Sequence, residues 1–332
     1  MRLSILICIK HYTLYITHMF TTPILLITFN RPEHTRRVLT EILKQEPQSL
    51  YVCQDGAREG NENDRIKCQE VRDVVRELVN AYAEKHPYFT HYTLHMKHNL
   101  GCGPGPQAGI TWFFENVEQG IIMEDDCLPH PDFFGYCEEL LNMYKDDERV
   151  QFINSTLYHD RWKCEGSYGF SHYMVTGAWA AWRSTWQGFD LDLLDLNAWK
   201  FRRQVLRLTK NRAEANWWYF KVKEIQADKS KKSYWDYQMQ IHLFKNNALT
   251  IHPAVNLISN IGFDPEGTHT TWNDGRGDKS VFPILPLIHP KNTKVDTEMD
   301  ANCFAKRKSR EWLIDTLSFF KNLLKNKRKI SD

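Results

Sequence analysis

Four short apolar runs, separated by stretches of helical period, constrain the fold of this chain more than any other feature. The first is Ile24–Phe29 (ILLITF), with Pro23 before it and Asn30-Arg31-Pro32 after it. A continuous apolar run of that length between such breakers predicts a strand buried on both faces. Val38, Leu39, Ile42 and Leu43 then recur at helical spacing. Leu50–Cys53 predicts a second strand, broken by Gln54-Asp55-Gly56, and Val71, Val74, Val75, Leu78, Val79 and Tyr82 predict an amphipathic helix. A third strand at Tyr92–Met96, a Gly/Pro-rich turn at 99–105, a helix to Glu118 and a fourth strand at Gly120–Met123 complete the alternation. This order predicts right-handed βαβ units and a mostly parallel sheet with helices on both faces. Ligands of such sheets bind outside the carboxyl ends of the strands. Thr28/Asn30/Arg31, Gln54/Asp55, Lys97/Asn99 and Glu124/Asp125/Asp126 stand at those ends, so they are expected to converge on one crevice.

Composition narrows the class. At 332 residues, 42% hydrophobic and 25% charged, the chain suits one large or two modest soluble domains. No apolar run approaches the roughly 18–20 residues of a membrane span. The eight cysteines are scattered, without CxxC pairs or zinc-ligand spacing, which reads as reduced thiols of a cytosolic protein. Net charge is only +2, and residues 301–332 hold nine Lys/Arg against three Asp/Glu. A slightly acidic body with a basic tail argues against a nucleic-acid binder.

The segment IIMEDDCLP (121–129) carries the sharpest chemistry. Three consecutive carboxylates after a buried strand are costly unless a cation or donors neutralise them. Hard oxygen ligands in a row suit Mg²⁺ or Mn²⁺ that keeps phosphate and water in its other positions. The bland alternative is an exposed acidic turn. Gly101-Cys102-Gly103 does not open the first βα turn, and no Walker A lysine motif occurs, so dinucleotide binding and P-loop transfer are disfavoured.

Taken in order, TPILLITFNRPEHTRRVL, QDG (54–56), NLGCG (99–103), GIIMEDDCLP and YWDYQ resemble GT-A-fold glycosyltransferases. More narrowly, they resemble bacterial nucleotide-diphospho-sugar transferases of the N-acetylglucosaminyltransferase I and family 2 group, over about residues 22–272. The resemblance implies a Rossmann-like three-layer α/β sandwich with a mostly parallel central sheet. It implies a transferase domain (22–300) whose halves 22–127 and 128–300 hold the nucleotide sugar and the acceptor; the residues flanking it read as an N-terminal extension (1–21) and a basic tail (301–332). Asp126 would bind Mn²⁺ or Mg²⁺ directly, with His269 as a late metal or diphosphate ligand. Glu124 and Asp125 would contact ribose and the metal's water shell. Thr28, Asn30, Arg31 and Asp55 would read the nucleotide, Asp55 accepting from a uracil N–H. Gly177–Trp182 (GAWAAW) resembles the glycine-rich acceptor loop but departs from the usual WGWATW, and Trp179 is a candidate sugar contact.

Asp236 matches the catalytic base. An inverting transfer needs a carboxylate to deprotonate the acceptor hydroxyl and a cation to stabilise the departing diphosphate. The alternative for Asp236 is a helix N-cap; Glu224 and Asp190 are the fallback bases. Arg31, Asp55 and His269 each have an ordinary loop reading as well.

The expected activity is transfer of a sugar from a nucleoside diphosphate, UDP first, to a glycan or lipid-linked saccharide, as in polysaccharide biosynthesis. A non-catalytic sugar-nucleotide binder and a nucleotidyltransferase are the alternatives. The tail 309–329 has an apolar face (Trp312, Leu313, Leu317, Phe320, Leu324) and a basic end. It is expected either to close the fold or to touch an anionic membrane, placing the protein in the cytoplasm or at the inner face of the cell membrane.

Overall fold

The computed structural model describes residues 6–9, 12–15, 20–158, 161–227, 235–263 and 280–309. A two-stranded antiparallel hairpin, β1 (Leu6–Ile9) and β2 (Tyr12–Tyr15), comes first, where the sequence pattern predicts no element. Then β3 (Ile24–Thr28), α1 (Pro32–Leu43), β4 (Ser49–Gln54), α2 (Glu62–Ala83), β5 (Thr90–His95), α3 (Pro104–Asn116) and β6 (Gln119–Glu124) follow in the expected alternation. The second half runs β7 (Cys127–Pro129), α4 (Asp132–Tyr144), β8 (Val150–Asn154), β9 (Tyr168–Ser171), β10 (Ala178–Trp182), α5 (Arg183–Trp186), α6 (Ala198–Thr209), α7 (Arg212–Ala227), α8 (Asp236–Lys245), β11 (Leu249–Pro253) and β12 (Ile258–Asn260). Residues 297–309 are also helical.

The main sheet has eight strands in the order β5-β4-β3-β6-β10-β8-β11-β9. Strands β5, β4, β3 and β6 are mutually parallel. Strand β10 runs antiparallel to both β6 and β8, β11 is parallel to β8, and β9 is antiparallel to β11. Six strands therefore share one direction, giving the mixed α/β, mostly parallel architecture expected. The chain starts the sheet at β3, builds outward through β4 and β5, then crosses back to place β6 on the other side of β3. That reversal is a topological switch point, and it opens a crevice at the carboxyl ends of β3 and β6. The register keeps those ends level, with Ile27 opposite Glu124 and Thr28 opposite Gln54.

Both faces of the sheet are covered, which is why β3 and β6 read as unbroken apolar runs rather than alternating ones. On one face Ile24, Leu26, Val52, Ile121 and Met123 pack with Val38, Leu39 and Ile42 of α1, Val71 and Val75 of α2, and Leu140 of α4. On the other, Leu25, Tyr51, Cys53 and Ile122 meet Ile110, Phe113 and Phe114 of α3 and Met239 and Leu243 of α8. Helix α3 comes close because of Gly109: a Cβ there would lie 2.7 Å from Cys53 Sγ. A third cluster joins α6, α7, α8 and the 297–309 helix through Phe201, Val205, Trp218, Phe244 and Phe304.

Two expectations change. Residues 178–182 form a strand within the sheet, not an acceptor loop, and all five are buried. Trp179 is 1% exposed and stacks on Phe152 at 4.6 Å, so it is a core residue and offers no face to a sugar. The body also does not end at residue 300. Cys303, Phe304 and Arg307 are buried in it. The amphipathic stretch from 310 onward, like His269, lies outside the described residues. The seven cysteines with described side chains are all thiols, and among the described residues no helix is long and apolar enough to cross a membrane.

Candidate active site

A cleft of about 310 Å³ opens at the switch point. It lies at the lower end of the roughly 300–1,000 Å³ typical of ligand pockets. Its wall includes Thr28, Arg31, Asp55, Asn99, Glu124, Asp125, Asp126 and Asp236. Seven of these come from the strand ends named by the sequence pattern; the eighth arrives from α8.

The floor is an arginine laid across two carboxylates. Arg31 precedes α1, and Pro32 at the first helical position fixes where that helix begins. Arg31 Nη1 donates to Asp126 Oδ2 at 3.0 Å, and Nη2 donates to Asp125 Oδ1. Asp125 Oδ2 also accepts from the Phe29 backbone N–H at 3.3 Å. Burial works against the Arg31 charge, but Asp125 and Asp126 outweigh it and hold the guanidinium well above its ordinary pKa. Arg31 is thus a structural cation of the site, not a surface turn residue. Asp125 is 2% exposed, and burial raises its pKa despite Arg31.

Glu124 ends β6 beside this pair. Burial, then the charges of Asp126, Asp125 and Asp236, push its carboxyl up to about 8, with Arg31 pulling the other way. No hydrogen-bond donor among the described residues reaches its side chain. A carboxyl group held there without a partner, in a ring of like charges, suits a cation. The residues fit an Mg²⁺- or Mn²⁺-sized ion held by one or two carboxylate oxygens, with ligand phosphate and water supplying the rest. Among the described residues no three His, Cys, Asp or Glu side chains converge as a ready-made metal cage.

Asp55 is placed differently from the expected nucleobase reader. Its Oδ1 accepts from the Gly56 and Leu100 backbone N–H groups at 2.8 and 2.9 Å. Its Oδ2 accepts from Gly101 N–H and Asn99 Nδ2, each at 3.0 Å. Four donors occupy the four acceptor positions of a carboxylate, so Asp55 clamps the 99–101 turn against β4. Burial raises its pKa while the backbone donors lower it, with a net rise. Asn30 does not line the cleft: its Nδ2 donates to Asp64 Oδ1 at 2.9 Å, behind the wall. Arg58, a residue the motif reading passes over, also binds Asp64 and lies over the Phe29 ring at 5.7 Å. Thr28 lines the cleft but spends its hydroxyl proton on the Cys53 carbonyl at 3.2 Å.

Asp236 is the first residue of α8, and Trp235, not Asp236, occupies the cap position. The side chain is therefore not consumed as an N-cap. Its partner is Arg307, whose Nη1 lies 3.7 Å from Asp236 Oδ2. Arg307 is 5% exposed; its Nη2 donates to the Met174 carbonyl at 3.2 Å, and its guanidinium lies over Tyr237 and Trp218. No motif signals Arg307, since it falls in a basic stretch that reads as tail. Beyond Asp236 the cleft continues into a second pocket of about 170 Å³, whose wall includes Tyr158, Asn256 and Arg307. The fallback bases lie elsewhere. Glu224 pairs with Lys221 on α7, and Asp190 accepts from the Asp192 and Leu194 backbone.

The loop after β12 closes over the floor. Gly262 has no room for a side chain, because a Cβ would lie 2.4 Å from Asp126 Oδ2 and 2.8 Å from Arg31 Nη1. Asn260 Nδ2 reaches Asp126 Oδ1 at 3.5 Å, and His34 Nε2 lies 3.0 Å from the Ile261 carbonyl.

No protein-family model matches the sequence, and no curated protein does. Solved structures match at remote identity. A mannosyltransferase from Pyrobaculum calidifontis, in complex with GDP-Man and Mn²⁺, is 14% identical over 51% of this chain and 46% of its own, with a TM-score of 0.35. S. aureus TarS (residues 1–349) is 11% identical over 50% and 48%, at 0.34. An apo UDP-glucose pyrophosphorylase is 9% identical over 72% and 93%, at 0.38. The chain spans about half the length of the first two.

Proposed function

We propose that the protein is a metal-dependent glycosyltransferase of GT-A type. It takes a sugar from a nucleoside diphosphate, UDP first, and transfers it to a glycan or lipid-linked saccharide with inversion. One observation carries the reading: an uncapped carboxylate, Asp236, faces the Glu124-Asp125-Asp126 row across a single cleft at the switch point of the sheet. A base on one side and an anion-stabilising centre on the other is what displacement of a diphosphate by a hydroxyl requires.

In this reading the donor lies along the carboxyl ends of β3, β4 and β6. The turn clamped by Asp55 shapes the base end, and its exposed backbone, not the Asp55 carboxylate, reads the nucleobase. Asp126 and Glu124 would hold Mn²⁺ or Mg²⁺, which when bound supplies positive charge to the departing diphosphate. Arg31 orients Asp125 and Asp126 through the hydrogen bonds it donates to both. The acceptor hydroxyl enters from the second pocket. Asp236 takes its proton as the oxygen attacks the anomeric carbon, and the anomeric C–O bond breaks with its electron pair going to the diphosphate. Arg307, 3.7 Å away, holds the Asp236 carboxylate in place.

The test is a panel of UDP-, GDP-, dTDP- and CMP-sugars, with and without Mn²⁺, scored for released nucleotide and for pyrophosphate. Mn²⁺-dependent release of a nucleoside diphosphate from one donor, lost in Asp126→Ala, is expected. Asp236→Asn should bind that donor normally but lose turnover. Pyrophosphate release would instead mark a nucleotidyltransferase, and donor binding without release under any acceptor would mark a binder.

A further inference from the structure

Helices α6 and α7 form a two-helix hairpin, turned at Lys210, which takes a left-handed conformation with φ 56°. Its inner face is ordinary core: Phe201, Val205, Ala215, Trp218, Val222 and Ile225 are all buried in the third cluster. Its outer face is not. Trp199 is 62% exposed and Phe220 67% exposed. They belong to one aromatic patch, because Trp199 lies against Tyr219 at 4.6 Å between ring centroids and Tyr219 against Phe220 at 5.2 Å. The arrangement is braced from both helices: Arg202 Nε donates to Asn216 Oδ1 at 2.7 Å while its guanidinium lies 5.7 Å from the Trp199 ring centroid. A soluble protein seldom leaves large aromatic side chains grouped in water without a partner for them.

The charge around the patch says what kind of partner. Residues 198–227 contain eight Lys/Arg and two Glu. Glu214 is buried, and Glu224 is bonded to Lys221 at 2.5 Å. Lys200, Arg203, Arg207, Lys210, Arg212 and Lys223 are exposed. The outer face is therefore aromatic at its middle and positive around it. Trp and Tyr are suited to the headgroup level of a bilayer, and basic side chains beside them are drawn to anionic lipid.

We infer that the outer face of the α6–α7 hairpin docks on an anionic membrane surface, Trp199 and Phe220 entering the headgroup layer while the surrounding Lys and Arg bind lipid phosphates. The inference does not depend on the proposed activity. The hairpin shares its core cluster with Ile241 and Phe244 of α8, so docking would hold the helix that carries Asp236 at a fixed height over the bilayer.

The test is co-sedimentation of the full chain with vesicles of phosphatidylcholine alone and of phosphatidylcholine mixed with phosphatidylglycerol, at low and high salt. Two variants run in parallel, Trp199→Ser/Phe220→Ser and Arg203→Glu/Lys223→Glu. All four positions are exposed, and circular dichroism with urea midpoints checks that each variant folds. Salt-sensitive binding to the anionic vesicles alone is expected, weakened at least about tenfold in both variants. Equal binding to neutral vesicles would overturn the proposal, as would no binding. So would binding that survives in both variants, which would move the contact to another basic segment such as the residues beyond 309. Because the readout is lipid binding, none of these outcomes bears on the transferase reading.

Discussion

Replacing Arg31 by Met tests the central electrostatic claim about the cleft. The guanidinium is the direct cationic partner of Asp125 and Asp126, at 3.0 Å from the latter. Asp125 is 2% exposed, so water cannot take over the lost bonds. Leaving a buried carboxylate pair without its cation costs about 3–5 kcal/mol. The cost must depend on pH in a defined direction. Asp125 and Glu124 already have folded-state pKa values above their ordinary ones, Glu124 at about 8, and loss of Arg31 raises both further. Between the unfolded and folded values the folded chain binds more protons than the unfolded chain, so stability falls as pH rises through that window. Urea denaturation of wild type and variant at about pH 5 and about pH 8 measures it. The full penalty is expected at the higher pH and a clearly smaller one at the lower. Millimolar Mn²⁺ should recover part of the loss, since a cation that binds only the folded state stabilises it by mass action. A cost under about 1 kcal/mol at the higher pH, or one that does not shrink at the lower, would mean the carboxylates are solvated and the burial argument is wrong.

Three further outcomes are expected. Glu214, buried in the first turn of α7, is pushed up to about 7 by burial, against the hydrogen bond it accepts from Tyr173 Oη at 2.6 Å. It should therefore lower stability by roughly 2–3 kcal/mol as pH rises from its unfolded value to about 7, and Glu214→Gln should flatten that part of the urea profile. Gly262→Ala must displace the Arg31–Asp126 pair, so thermal denaturation should show a loss of about 1–3 kcal/mol, with weaker Mn²⁺ binding by calorimetry. Asp55→Asn cannot accept the four hydrogen bonds that hold the 99–101 turn; it should cost about 1–3 kcal/mol, read as a lower urea midpoint, and faster amide exchange at Leu100 and Gly101 would locate the damage.

Several site features are invisible to pattern because each is an accounting of partners. Asp55 before Gly56 looks like turn chemistry or a nucleobase reader, and only the three backbone donors and Asn99 show that its oxygens are spent within the fold. Trp179 beside alanines suggests an aromatic platform, yet pairing of β10 with both β6 and β8 encloses it. Arg307 stands in a basic run like any solvated tail, and only the packing of Cys303 and Phe304 carries it inward to Asp236.

What the sequence determined by itself is the parallel half: four strands, their order with the helices, and the carboxylate row at the end of β6. Those features are local. Apolar runs, Gly and Pro punctuation and helical period act over a few residues, and a strand buried on both faces leaves a pattern of its own. What only the tertiary structure decided is the meeting of distant groups: Arg31 across Asp125 and Asp126, Gly262 over that pair, Asp236 opposite it and Arg307 behind Asp236. Such meetings depend on strand order, register and helix packing, which no short stretch encodes. The direction of β10 was likewise settled by its two neighbours and not by its own five residues.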